Sequence, residues 1–210
     1  MTDELKQPQR RALQYWYVDG TYELGFGLLC LILAIYFRLE KLLEGSWFLA
    51  LVDGSLVLVF IGGGALINWL TRKWKERVTY PRTGYVAYRS ETGLRRKIRL
   101  ALGLTTGGLI GATVAVLATL PFRDVDIMPL VSGLLMGMVL AFLAWRTSLP
   151  RLYLLAAFST GTGLALAFAQ LGNYTSLSIY YLALSLGLIA SGLVTMILYL
   201  RESPPAEREA

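Results

Sequence analysis

Histidine is absent from all 210 residues, and cysteine occurs once, at Cys30. The first absence removes His-ligated zinc and haem, His-activated nucleophiles and His proton relays together. The second removes any intramolecular disulfide and, with the first, leaves too few soft ligands for a protein-only transition-metal site. Charge is also scarce, at 16% of residues, where soluble domains run near about a quarter. No GxSxG, P-loop or GxGxxG pattern occurs, so the chain reads as a non-enzyme with no cofactor and no metal.

Apolar residues fill the space that charge leaves. They make up 55% of the chain and give a mean hydropathy of +0.54. They gather in runs of about 18 to 24, long enough to cross ~30 Å of hydrocarbon at 1.5 Å per residue. The fold class is all-α, a polytopic helical membrane protein built as a single domain over 1–210. Six spans are expected near 17–37, 47–70, 99–120, 128–146, 150–171 and 178–200. A basic loop at 71–98 and a polar tail at 201–210 complete the chain. The polar start, with no small-residue cleavage site after the first apolar run, is not read as a cleavable signal. Trp16, Tyr17, Trp47, Trp69, Trp74, Tyr174, Tyr180 and Tyr181 fall near the expected span ends, where aromatic belts form.

Loop charges set an orientation. Between Arg72 and Arg99 lie ten basic residues against two acids, Glu76 and Glu91. The positive-inside rule then places both termini and the long loop in the cytoplasm of a plasma (bacterial inner) membrane. Odd spans open on Arg99 or Arg151 and even spans close on a basic residue, a pattern that three parallel hairpin repeats would produce. The many small-residue spacings, Gly133/Gly137 among them, read first as close helix packing.

Three acids fall inside expected spans. Tyr22 to Phe37 alone is too short to span, so the first span is expected to start near Tyr15. That puts Asp19 and Glu23 one turn apart on one helix face, where two carboxylates repel unless a cation intervenes. Three readings stay open for them: a clamp to cations of the basic loop, a cation or proton site, or a solvated interfacial position. Asp53, about 9 Å inside the second span at 1.5 Å per residue, is the third. Intramembrane acids are functional candidates by default, so the candidate polar site is Asp19, Glu23 and Asp53.

The loop offers the other candidate. "VTYPRTGYVAY" alternates like a short hairpin around Pro81–Gly84. Arg82, Arg89, Arg95, Arg96 and Lys97 would face anionic lipid headgroups, a cytoplasmic protein partner or a phosphate-bearing ligand. The loop core "YPRTGYV" (80–86) and the first-span opening "YVDGTYELGFGLL" (17–29) resemble a group of multi-pass membrane proteins of bacteria and archaea without a known activity. That resemblance implies topology and no chemistry.

The function expected is a small transporter or channel for a cation or small solute, working as a homo-oligomer. The alternative is a non-transporting membrane anchor or accessory subunit whose basic loop binds a partner protein or lipid headgroups. Nucleic acid is not an expected partner: the net charge of +6 sits chiefly in cytoplasmic flanks, and no nucleic-acid motif accompanies it.

Overall fold

The computed structural model describes residues 17, 19–79 and 125–202. Among these, five α-helices follow one another: α1 (Thr21–Leu42), α2 (Phe48–Trp74), α3 (Ile127–Thr147), α4 (Pro150–Ala169) and α5 (Asn173–Glu202). A π-helical turn, Lys75–Thr79, extends α2, and no described residue is in a strand. Helices α1, α3, α4 and α5 are each long and apolar enough to cross a membrane. The burial pattern agrees with a lipid solvent. Leu154, Phe168 and Trp145 face outward, whereas Asp19, Glu23, Lys75, Ser159 and Ser176 are buried.

Two tight helix pairs make the frame. In the α1/α5 pair, the Ser178 hydroxyl donates to the Ala34 carbonyl at 2.9 Å, and Phe37 stacks on Tyr181 with ring centroids 5.5 Å apart. In the α3/α4 pair the backbones nearly touch. A Cβ on Gly163 would lie 2.7 Å from the Gly133 Cα, a distance no larger residue tolerates, so the packing role of these glycines is physical. The core between the pairs is made of Cys30, Leu140, Leu155, Tyr180, Leu184 and their neighbours. Helix α2 packs on the outside of α1, where Ile67 fills the place a side chain on Gly25 would need.

Helix ends differ from the expected span ends for local reasons. The expected start near Tyr15 lies outside the described residues; Gly20 takes φ +70°, and the continuous ladder of α1 starts at Thr21. Glycine is required there twice over, because a Cβ would also sit 2.5 Å from the Gly192 carbonyl oxygen of α5. The fourth helix stops at Ala169, before the expected 171, where Gln170 turns left-handed. The fifth starts at Asn173, ahead of the expected 178. Asp126 accepts the Gly172 N–H at 3.0 Å and the Ser176 hydroxyl at 2.8 Å, and its negative charge suits a helix N-terminus. Helix α2 runs past the expected 70. Its polar end residues continue the backbone ladder, so Val78 and Thr79, read above as part of a strand arm, are helical.

Two further sequence readings need correction. Tyr180 is not an interfacial anchor: it is fully buried, its hydroxyl 2.7 Å from the Ser159 hydroxyl. Asp19 and Glu23 do not share one helix face, since the left-handed Gly20 separates them.

Candidate functional site

The sequence candidates Asp19 and Glu23 sit at the end of the bundle where α1 begins, α4 begins and α2 and α5 finish. Each has its own cation, from a different helix. Asp19 lies just before α1, and its Oδ1 accepts the Thr21 hydroxyl at 2.8 Å and the Thr21 N–H at 3.3 Å. Its other oxygen lies 3.3 Å from the Lys75 ammonium, with both side chains under about 2% exposed. The ammonium also lies over the Tyr22 ring, 5.5 Å from its centroid. Burial draws the Lys75 ammonium below its ordinary value, and the Asp19 carboxylate opposes that pull. Lys75 comes from the segment read as the basic loop, so this pair has the clamp geometry: it fastens the end of α2 to the start of α1.

Glu23 is placed differently. It lies on α1 proper, and its carboxylate is 4% exposed. Arg151, one residue inside α4, donates from Nε to Glu23 Oε1 at 2.7 Å and from Nη2 to the Tyr17 carbonyl. Ser191 of α5 donates its hydroxyl to Oε2 at 2.5 Å. Arg151 is itself 27% exposed. One carboxylate thereby joins α1, α4 and α5, that is, both tight pairs.

Two cavities flank this pair. One of about 250 Å³ lies where α1, α3, α4 and α5 meet, and Glu23, Tyr17, Tyr22 and Phe26 line one side of it. Leu140, Leu143, Leu152 and Leu188 line the other. The second, about 620 Å³, lies between the start of α4 and the last turns of α5 and is lined by Arg151, Ser191, Thr195, Tyr199 and Glu202 among others. Among the described residues no group of three or more His, Cys, Asp or Glu could hold a metal ion.

Searches among known proteins return nothing: no family model, no curated protein and no solved structure matches this chain. The site therefore has to be read from its own geometry.

The side chains of the remaining candidates lie outside the described residues. Asp53 falls on α2, and its side chain lies outside the described residues. Arg82, Arg89, Arg95, Arg96 and Lys97, with the expected span at 99–120, also lie outside them. Sequence reasoning missed Arg151 and Ser191 as partners, having counted Arg151 only as a topology charge. A signal was present. Arg151 follows Pro150 at the start of an apolar helix after a two-residue connection, Ser148–Leu149, which leaves a long side chain little choice but to reach along the bundle.

Proposed function

We infer that the chain is a small integral membrane transporter or channel for a cation or small solute, with Glu23 as the group that meets it. One observation supports this reading above the others. Glu23 lines a cavity between the two helix pairs, and its arginine partner comes from the opposite pair. An acid held in a cavity wall inside a membrane is where a positive charge can leave water at least cost. Asp19 has no such place, since Lys75 neutralises it.

Connectivity supports six spans. Helix α2 finishes beside Asp19, at the end where α1 begins, whereas α3 begins beside the start of α5 at the opposite end. Residues 79 and 125, the described residues on either side of the stretch 80–124, therefore lie at opposite ends of the bundle. The apolar run at 99–120 has the length for one crossing. The charge asymmetry of the loops supports an orientation with both termini and the basic loop in the cytoplasm.

A second reading, a static anchor or accessory subunit, draws support from the Asp19–Lys75 pair, which closes one intramembrane acid completely. Flux measured in proteoliposomes separates the two. On the transport reading, Glu23→Gln loses cation-dependent flux while its thermal unfolding stays cooperative. On the anchor reading, wild type shows no flux, and replacing Arg82, Arg95 and Arg96 by Ala abolishes binding to anionic vesicles.

A further inference from the structure

The ion pair at Glu23 has three features that a purely structural bridge does not need. Among the described residues, two donors reach the carboxylate. Each oxygen has two lone pairs, and Oε1 and Oε2 each take one described donor, from Arg151 and Ser191. Among the described residues the lining of the cavity that Glu23 borders is otherwise apolar and aromatic, with Glu23 its one charged residue. The rings of Tyr17 and Tyr22 stand 5.3 Å apart at a tilt of 39°, and Phe26 follows one turn on. Lastly, the cation now holding Glu23 borders a second space. Arg151 also lines the larger cavity, where the exposed Glu202 forms part of the wall.

Ligand chemistry follows from that lining. A small metal ion would need several oxygen ligands, and the cavity wall offers one carboxylate and two phenols. A phosphate or carboxylate ligand would meet the Glu23 charge. A compact organic cation, a quaternary or protonated amine, suits this lining: its charge meets Glu23 among the aromatic residues Tyr17, Tyr22 and Phe26, and its methylenes meet the leucines. At about 250 Å³ the space holds about eight waters at ~30 Å³ each, so the cation must be small. Phe26 and Val139 at the cavity are 44% and 48% exposed, which opens it sideways, toward the lipid, as an amphiphilic ammonium ion requires.

We propose that Glu23 is the binding site of a small organic ammonium ion, and that the ion competes with Arg151, which exchanges Glu23 for Glu202 when the site fills. Binding then moves one ion pair from the interface of the two helix pairs to the outer cavity. The proposal rests on the transport reading for its purpose, but not for its test.

The test is binding of tetraethylammonium chloride to the purified full-length chain in detergent, followed by thermal unfolding, with potassium chloride at matched ionic strength as the reference. Wild type is expected to be stabilised by tetraethylammonium beyond potassium, since a ligand of the folded state raises the melting temperature by mass action. The variants carry the signs. Glu23→Gln loses the effect and Glu23→Asp retains it. Arg151→Gln removes the competitor: if Arg151 holds Glu23 about nine-tenths of the time, apparent affinity rises about tenfold. Glu202→Gln removes the alternative partner and weakens binding several-fold, by roughly the same population argument. Should Arg151→Gln fail to fold, Arg151→Lys, which cannot reach Glu23 and the Tyr17 carbonyl with one rigid fork, is expected to bind more tightly than wild type. A stabilisation that survives Glu23→Gln, or none in any variant, overturns the site. Weaker binding in Arg151→Lys than in wild type overturns the competition. The expected sign pattern without flux in proteoliposomes would leave the site standing and sink the transport reading. Glu23-dependent flux of potassium with no tetraethylammonium binding would do the reverse.

Discussion

At the residue scale, a charge inside this bundle is held only where an opposite charge arrives from another helix. Lys75 and Asp19 illustrate the asymmetry of buried pairs: joint removal is better tolerated than taking one charge from opposite the other. Lys75→Met is expected to destabilise the protein by about 3–5 kcal/mol, and the double change Asp19→Asn with Lys75→Met to recover most of that. Chemical or thermal unfolding of the two variants beside wild type checks it, and an equally damaging double variant would show that the pair does more than neutralise itself. The acids themselves were legible in the sequence, because any carboxylate in an apolar run draws notice. Their partners were not. Lys75 was one of ten basic residues in a single stretch, and nothing in its neighbours singled it out. Only the register of α2 on α1, set by Ile67 fitting against Gly25, brings its ammonium to Asp19.

Among the helices, packing depends on where small residues meet backbone. Gly163 faces Gly133 across the α3/α4 contact, while Gly161, two residues earlier, has nothing within 4 Å. Gly163→Ala is therefore expected to cost about 1–3 kcal/mol by overpacking, and Gly161→Ala to stay within about 0.5 kcal/mol of wild type. Unfolding midpoints of the two variants decide the matter, and equal effects would mean that the α3/α4 contact leaves room for a methyl group at Gly163. Helix existence was plain from the apolar runs; helix ends were not. Hydropathy marks where lipid begins and ends, whereas the ladder stops where a backbone angle or a cap stops it. Gly20 ends one helix start early in the chain, and Asp126 draws α5 forward to Asn173. Tyr180 was misread for a related reason. Its position in the run looked peripheral until α5 proved to begin five residues sooner than its hydropathy suggests.

For the whole molecule, the alternation of helix directions sets which connections share a side. The α1–α2 connection and the α3–α4 connection lie at opposite ends of the bundle. Cysteines placed at Glu44 and at Ser148, both exposed, should thus react with a membrane-impermeant maleimide from opposite sides. The buried native Cys30 gives little background. In intact cells Glu44→Cys is expected to label from outside, and Ser148→Cys only after permeabilisation. Labelling of both from one side would overturn the orientation and the six-span reading with it.

The sequence by itself determined the solvent of this protein and the number of its long apolar runs. Both depend on composition within a window, which lipid reads without reference to distant residues. It also put Asp19 and Glu23 at one end of a helix hairpin. Tertiary structure alone decided that the two acids part company at Gly20, that Lys75 closes one, and that Arg151 and Ser191 hold the other at the edge of a cavity. The physical reason is that an ion pair between α1 and α4 joins residues more than a hundred positions apart. Its cost of desolvation is met only by geometry, and the backbone contacts that fix that geometry leave no mark on local composition.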